Sequence, residues 1–302
     1  MHIPVLQKEV LQYLSPEPNE NFIDATISDG GHALSIIDKT QPNGKLLGID
    51  WDKEIIKNLK LKIKNFEKRI VLVSDNFANL EEIVKHTKFS SVQGILFDLG
   101  MSSWHLEESG RGFSFLKNEP LDMRYNSQNS LTGLTAERIL NYYSFLEIEK
   151  ILRTYGEERF AKKIAERIIE RRKIKPIEST FQLVEIIKNA TPLWYHHRRI
   201  HLATKTFQAL RIAVNDELNN LERALPQAVE ILKLGGRLAV ISFHSLEDRI
   251  VKNFYRSRTS MDLKILTKKP VRPAEEEIKI NPRARSAKLR AAQKYAPQYN
   301  YE

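Results

Sequence analysis

The chain has no cysteine, and this absence excludes several kinds of site. Thiol nucleophiles, disulfides and cysteine-ligated metals all require that residue, and its absence suits a reducing compartment. Long hydrophobic runs are absent too, because no apolar stretch approaches the roughly 18 to 20 residues of a membrane span. The first residues, MHIPVLQKEVLQYL, carry polar side chains every few positions, unlike a signal peptide. We therefore expect a cytoplasmic protein with no membrane partner.

Glycine and proline are also scarce, with 12 of each among 302 residues, and no tract is of low complexity. Hydrophobic residues make up 41% of the chain, which is typical of an ordinary globular protein and argues against extensive disorder. The length suffices for one large domain or for two smaller domains with cores of their own.

Basic residues exceed acidic ones, giving a net charge of +10 and a pI near 9.5. Residues 256–302 contain twelve Lys or Arg against five acids, and so carry seven of those ten charges. A second basic stretch, ERFAKKIAERIIERRKIK at 158–175, has amphipathic helical spacing, and a third, HHRRIH, lies at 196–201. Each stretch alone is compatible with a solvated surface. Together they favour a nucleic-acid partner, because Lys and Arg neutralise phosphates.

The first hundred residues alternate between short β-type runs and helical stretches. Strands are predicted at 22–25, 45–50, 70–74 and 92–98, and each strand-to-strand period has the length of a βαβ unit. Further strands are predicted at 237–243 and, more weakly, at 263–267. This pattern predicts an α/β fold with a doubly wound parallel sheet.

The middle of the chain breaks this alternation, because residues from about 109 to 201 form helix-favouring sequence without a convincing strand. A long amphipathic helix is predicted to follow over 204–225. The simplest organisation is a discontinuous α/β domain, residues 1–108 and 202–302, interrupted by an α-helical insertion at 109–201.

A glycine-containing turn follows the first predicted strand, where Asp24 leads through SDGG at 28–31 into a helix at His32. Such a turn places backbone N–H groups at the carboxyl edge of the sheet and lets a ligand approach the main chain. Asp50, nineteen residues after Gly31, ends the next strand and is well placed to accept both hydroxyls of a ribose. These features indicate an adenosine-containing cofactor. Alternatively, the glycines only close a tight turn and Asp50 caps the next helix.

The next two strand ends carry further polar groups. Asp75 and Asn76 could read an adenine edge while Phe77 covers its face, and Asp98 is followed by His105. Neither G-x-G-x-x-G nor G-x-x-x-x-G-K-[ST] occurs, which disfavours a nicotinamide cofactor and a P-loop. The arrangement resembles the S-adenosylmethionine site of a Rossmann-like methyltransferase.

Several longer segments carry a resemblance to a known family. They are, in order, HIPVLQKEVLQYL, DGGHA, GIDWD, FDLGMSSWHLEESGRGFSFLKNEPLDMRYN, YGEERFAKKIAERI, TKTFQALRIAVNDEL, GGRLAVISFHSLEDRIVKNF and NPRARSAKLRAA. Together they closely resemble the bacterial 16S ribosomal RNA (cytosine-N4)-methyltransferase family, RsmH or MraW, from about residue 2 to 292. The resemblance implies methyl transfer from S-adenosylmethionine to the exocyclic amine of a cytidine in the decoding region of 16S rRNA. It also implies that the helical insertion recognises the substrate.

Carried over by position, the resemblance implies a set of cofactor-binding residues. They are Gly30, Gly31 and His32 at the turn, Asp50 on the ribose, Phe77 on the adenine, and Asp98 and His105 near the methionine end. This chain departs from the usual G-T-F-G-R-G-G-H of the family, with Ala25, Ile27, Ser28 and Asp29 before the two glycines. The cation of the family pattern is thus replaced by Asp29, which leaves open what meets the methionine carboxylate.

The chemistry of the acceptor points to one catalytic residue. The lone pair of a cytosine amine is delocalised into the ring, so the amine must be aligned with the methyl group and its proton accepted. Asp98 is the predicted acceptor. Cytosine C5 methylation through a thiol adduct is excluded because there is no cysteine. A DNA amino-methyltransferase and a non-catalytic, RNA-binding ribosome-assembly factor remain alternatives, and DLGMSS lacks the Pro-Pro-aromatic motif of many amino-methyltransferases.

Three further features are ambiguous in the sequence. His197 and His201 have i,i+4 spacing but no evident third ligand, and no metal site is expected. The segment SFHSLED either lines the acceptor pocket or caps a helix. NPRARSAKLR is either a charged tail or an RNA phosphate contact. The expected partner is 16S rRNA or the small ribosomal subunit, and a homodimer is left open.

Overall fold

The computed structural model describes residues 4–63, 66–126 and 133–296. The chain divides into two compact units: residues 1–100 with 218–302, called here the sheet unit, and residues 101–217, called the helical unit. The helical unit therefore begins before residue 109 and ends after residue 201, the bounds predicted for the insertion.

A seven-stranded sheet organises the sheet unit, with strand order β3-β2-β1-β4-β5-β7-β6. Its strands are β1 (Asn21–Asp24), β2 (Leu46–Asp50), β3 (Ile70–Ser74), β4 (Val92–Asp98), β5 (Leu232–Ser242), β6 (Leu263–Ile265) and β7 (Lys288–Lys294). Strands β1 to β5 pair in parallel, whereas β7 is antiparallel to both β5 and β6. The predicted α/β fold with a doubly wound, Rossmann-like sheet is confirmed.

The helices connect the strands or form the helical unit. They are α1 (Gln7–Leu14), α2 (Gly31–Lys39), α3 (Lys53–Lys62), α4 (Leu80–Thr87), α5 (Ser103–Glu107), α6 (Ala136–Tyr142), α7 (Phe145–Gly156), α8 (Ala161–Arg172), α9 (Thr180–Ala190), α10 (Leu193–His196), α11 (Thr204–Asn215), α12 (Glu217–Ile231), α13 (Ser245–Arg258) and α14 (Glu275–Ile280). No helix in the described residues is both long and apolar enough to cross a membrane.

Each face of the sheet has its own hydrophobic core, since neighbouring residues of a strand point to opposite faces. Phe22 packs with apolar residues of α1, α2 and α3, whereas the adjacent Ile23 packs with those of α4, α12 and α13. Parallel strands covered on both faces read as continuous apolar runs. That is why NFID, LLGID and VQGILFD could be recognised as strands from sequence.

The single helix predicted over 204–225 is wrong, because the structure has two helices there. Helix α11 ends at Asn215, Asp216 adopts a left-handed conformation with φ 52°, and α12 begins at Glu217. Asp tolerates this conformation better than most residues. Apolar periodicity continues across the break because both helices have a buried face, but they serve different cores: Phe207 lies in the core of the helical unit and Leu221 in that of the sheet unit.

Strand β7 was not predicted. Its sequence, KLRAAQK, has few of the β-branched and aromatic residues that favour strands, so it reads as a basic segment. It lies between β5 and β6, with Leu289, Ala291 and Ala292 fully buried. Its position depends on pairing with strands far away in sequence, which local propensity does not report.

Candidate active site

The carboxyl ends of β2, β1 and β4 lie side by side in the sheet and each ends in an aspartate. These are Asp50, Asp24 and Asp98, and Asp75 follows the end of β3 on the same edge. Because parallel strands share a carboxyl edge, and ligands of such sheets bind there, this row of acids marks the candidate site.

The glycine turn between β1 and α2 is held by close packing within the protein. Gly30 has φ 80°, and a Cβ there would lie 2.8 Å from Leu59 Cδ1. A Cβ on Gly31 would lie 2.4 Å from Pro4 Cγ. Ser28, at a position where the family pattern has glycine, also has a positive φ of 47°. Close packing around the turn therefore favours glycine at both positions.

Asp50 connects this turn to the end of β2. Its Oδ2 accepts a hydrogen bond from the Ser28 N–H at 3.1 Å, and its Oδ1 accepts one from the Asp52 N–H at 2.9 Å. Asp52, not Asp50, caps α3 by accepting from the Glu54 N–H. The alternative in which Asp50 caps the next helix is thus wrong. Asp50 instead holds the turn at the sheet edge, with its carboxylate oriented by two backbone donors.

Asp29, which replaces the cation of the family pattern, forms an ion pair with Lys62 of α3 at 3.1 Å. The lysine side chain is 60% exposed, so the pair is accessible to solvent. Lys62 places a cation beside the turn from a different part of the chain. Sequence comparison by position does not find it, because the lysine lies 33 residues further on.

Asp24 is a buried acid of this edge. Its side chain is fully buried, and burial raises its pKa to about 7, against a lowering effect of the nearby His32. The charges of Asp98 and Asp50 contribute to this raised pKa, and the hydrogen bond from the Thr26 N–H opposes it. Among the described residues, neither ring nitrogen of the buried His32 has a hydrogen-bond partner. A buried imidazole whose nitrogens make no hydrogen bond, beside a row of acids, is typical of a binding site rather than of a packed core.

Asp98 lies opposite His32, with its Oδ2 3.6 Å from His32 Nε2. Its Oδ1 accepts from the Gly100 N–H at 3.3 Å, and its backbone N–H donates to the Thr26 hydroxyl at 2.6 Å. Its side chain remains 22% exposed. Asp98 is thus a fixed carboxylate that an incoming group can still reach, which is the geometry an acceptor needs.

Phe77 packs edge-on against Phe97 of β4, with ring centroids 5.6 Å apart. It opens a short 3₁₀ turn that Asn76 caps by accepting from the Ala78 N–H. Asp75 accepts from the Asn76 N–H at 2.6 Å and from the Asn79 amide at 3.0 Å. Asp75 and Asn76, the polar pair expected to read adenine, therefore make hydrogen bonds within their own turn. Phe77 is fixed against the sheet after β3.

His105 belongs to the helical unit, unlike the other predicted site residues. It is buried, its Nδ1 lies 2.8 Å from the Ser102 hydroxyl, and its ring contacts those of Trp104, Phe113 and Tyr125. The sheet unit brings together the turn glycines, His32, Asp50, Phe77 and Asp98. The role of His105 stays a prediction.

Sequence reasoning placed Asp24 at the end of the first strand but gave it no role in the site. It missed Thr26 altogether, since only the fold brings the Thr26 hydroxyl to the backbone of Asp98.

The ambiguous segments have structural roles. His244 of SFHSLED is the N-cap of α13 in a reciprocal arrangement with Glu247, as the capping interpretation requires. His197 and His201 share no helix, since α10 ends at His196 and α11 begins at Thr204. In NPRARSAKLR, Lys288 and Arg290 both bind Asp248, at 3.4 and 2.7 Å, so the plain tail is wrong and these two cations are engaged within the fold.

A second feature of the sheet unit is a cavity of about 840 Å³ beside α13 and β6. Five cationic side chains line it and form none of the ion pairs found in the described residues; we call them the cavity cations. They are Lys252, Arg256, Lys264, Lys268 and Lys269. No acidic residue lines the cavity within this part of the chain. An anionic ligand is therefore the chemistry that it fits.

Comparison with known proteins identifies the family of this chain. Residues 1–295 match the MraW methylase family. The chain is 48% identical to ribosomal RNA small subunit methyltransferase H of Dictyoglomus thermophilum, over 97% of each chain. It is 46% identical to the protein of that name from Heliobacterium mobile, over 97% of this chain and 98% of that one. The match extends over almost the whole sequence, and we conclude that this chain belongs to the MraW methylase family.

Proposed function

We propose that this protein transfers the methyl group of S-adenosylmethionine to the exocyclic N4 amine of a cytidine in the decoding region of 16S rRNA. The observation that carries the proposal is the fixed, accessible carboxylate of Asp98 at the cofactor edge of the sheet, in a chain of this family. We place the reaction in the cytoplasm, on rRNA or the small ribosomal subunit.

The residues of the sheet edge fit the cofactor. Asp50 offers a carboxylate for a ribose, and neither ring nitrogen of the buried His32 has a hydrogen-bond partner in the described residues. The ring of Phe77 provides an apolar surface for an adenine, and Lys62 a cation for the methionine carboxylate. When bound, S-adenosylmethionine supplies an electrophilic methyl group on a sulfonium centre.

Asp98 orients the acceptor amine and takes its proton. A cytosine amine is a poor nucleophile, so a carboxylate that accepts one N–H hydrogen bond directs the lone pair and stabilises the charge that develops on nitrogen. The Gly100 N–H and the Thr26 hydroxyl fix Asp98, which lowers the entropic cost of that alignment. His32 faces the same carboxylate and restrains its Oδ2 side.

The helical unit and the cavity cations are assigned to RNA recognition. The target base must be unpaired or extruded to reach a pocket. Cations that are not neutralised within the protein supply the phosphate contacts that give affinity without sequence specificity.

The test uses small subunits from cells that lack this activity, labelled S-adenosylmethionine and nucleoside analysis of the product. The wild type is expected to form N4-methylcytidine, whereas Asp98→Ala should lose at least a hundredfold in rate, the scale of a general base. Asp98→Asn keeps the shape of the side chain but removes its charge. Asp38 is an exposed acid of α2, and Asp38→Asn serves as the matched control.

Near wild-type turnover by Asp98→Ala would refute the role of Asp98. Transfer to DNA instead of RNA, or cofactor binding without turnover on any RNA, would replace the proposed function by one of the two alternatives.

A further inference from the structure

An exposed tryptophan of the helical unit is held by an arginine from a distant part of the sequence. Trp194, in α10, is 52% exposed. The guanidinium carbon of Arg159, immediately before α8, lies 5.5 Å from its ring centroid, and the Phe160 ring lies 5.8 Å away. These are distances at which a cation and an aromatic face attract each other. Arg159 and Trp194 therefore form one planar, cationic and apolar element at the surface.

The residues that support Arg159 and Trp194 are held rigidly by contacts within the protein. Tyr195, next to Trp194, is buried, and its hydroxyl donates to both carboxylate oxygens of the buried Glu158, at 3.0 and 2.8 Å. Phe160 contacts the Tyr195 ring edge-on at 4.9 Å. The neighbours of Arg159 and Trp194 in the chain are thus locked together. An exposed aromatic side chain on such a rigid support loses little conformational entropy when another ring stacks on it.

The surroundings are positively charged. Arg198 lies over the Tyr195 ring at 5.0 Å, Arg199 is exposed, and Lys162 and Lys163 are exposed on α8. None of these four side chains takes part in an ion pair in the described residues. The structure thus joins two basic stretches, 158–175 and 196–201, that are separate in the sequence. We call Arg159, Trp194 and these four residues the Trp194 surface.

We propose that the Trp194 surface is a stacking site for an unpaired base of the RNA substrate, with its lysines and arginines on the adjoining phosphates. This rests on the proposed function. Bases stack on aromatic side chains and arginine planes regardless of their identity, and cations beside the stack follow the backbone. An apolar protein partner would be met by the guanidinium groups of Arg159 over Trp194 and of Arg198 over the neighbouring Tyr195, and this charge favours RNA.

The experiment measures binding of a single-stranded fragment of the 16S decoding region at several salt concentrations. Trp194→Ala should lose roughly five- to a hundredfold in affinity with an unchanged salt slope, because stacking involves no counterion release. Trp194→Phe should restore most of that loss. Arg198→Gln should instead reduce the salt slope by about 0.7, the value for one phosphate of a single strand.

Phe181→Ala is the matched control. Phe181 lies in the same unit and is 49% exposed, and in the described residues no cation lies over it. The proposal is overturned if Trp194→Ala binds RNA as the wild type does, or if Phe181→Ala loses as much. Loss of binding to assembled small subunits but not to naked RNA would also overturn it, in favour of a protein partner.

The assay separates this proposal from the proposed function, since binding requires no turnover. A wild type that forms N4-methylcytidine, with Trp194→Ala unaffected in binding and rate, refutes the stacking site alone. A wild type that transfers no methyl group to RNA yet binds it in a Trp194-dependent manner refutes the function alone.

Discussion

At the scale of single residues, the candidate site combines a buried acid, a buried imidazole and an accessible carboxylate. Asp24 and His32 are both enclosed, whereas Asp98 keeps 22% of its side chain exposed. The same residue type therefore has a different environment at neighbouring strand ends, and burial raises the pKa of Asp24. Position on the sheet edge, rather than residue identity, assigns the roles.

Asp24 should make stability depend on pH. Its folded-state pKa of about 7 lies above the ordinary 3.8, so its contribution is fully present below 3.8 and is lost as the pH rises through about 7. Asp24→Asn has no ionisable group at this position, so its stability should not fall with rising pH for this reason. Between pH 5 and pH 8 the variant should gain about 2 to 3 kcal/mol in unfolding free energy relative to the wild type.

Urea unfolding of both proteins at the two pH values, without cofactor, measures that difference. Asp38→Asn, which removes an exposed acid of α2, should follow the wild type at both pH values. A parallel pH dependence of wild type and Asp24→Asn would show that Asp24 is not the group responsible.

At the scale of elements, the side of the sheet formed by β5, β7 and β6 depends on β7, which pairs with both of the other strands. The ion pair between Asp248 of α13 and Arg290 of β7 joins a helix to this strand at 2.7 Å. Although burial opposes it, the hydrogen bond and charge of Arg290, with the charge of Lys288, lower the pKa of Asp248. Arg290 is only 8% exposed, so its buried charge is compensated by Asp248 rather than by water.

Removing one partner of this pair should destabilise the sheet. Asp248→Ala leaves the buried guanidinium uncompensated and should cost about 3 to 5 kcal/mol, whereas the double variant Asp248→Leu with Arg290→Met should recover much of it. Denaturant unfolding gives both numbers.

An exposed pair supplies the comparison for this prediction. Lys57→Ala breaks the surface pair with Glu54, 3.7 Å long, and should cost less than about 1 kcal/mol. Equal effects of Lys57→Ala and Asp248→Ala would mean that the Asp248 pair does not anchor β7.

At the scale of the whole molecule, the excess positive charge is distributed in patches rather than evenly. The cavity cations lie in the sheet unit, and the Trp194 surface lies in the helical unit. Both contain Lys and Arg that the protein does not neutralise itself. RNA bound at either patch should therefore show an affinity that depends on salt.

The cavity cations should contribute to RNA affinity without contributing to catalysis. Lys264→Gln with Lys268→Gln should reduce the salt slope of rRNA binding by about 1.4 in total for single-stranded RNA, with an unchanged rate at saturating RNA. Binding titrations at several salt concentrations, together with the methyl-transfer rate, measure both effects.

Lys39→Gln with Lys60→Gln removes two exposed charges of the same unit outside the cavity. If this control variant lowers the slope equally, the cavity cations have no specific part in binding and only net charge matters.

The sequence by itself determined the fold class, the five parallel strands, the row of strand-end acids and the family. These are local signals, because buried parallel strands read as apolar runs and the glycine turn and acids lie beside them. The resemblance in long motifs carried the identity of the reaction.

Only the tertiary structure decided how distant residues meet. Strand β7 exists through pairing with β5 and β6, Lys62 reaches Asp29, Thr26 reaches Asp98, and Arg159 reaches Trp194. The burial that raises the pKa of Asp24 is likewise a property of the packed sheet. Local propensity describes a residue and its neighbours in the chain, whereas these contacts depend on packing between segments far apart in sequence.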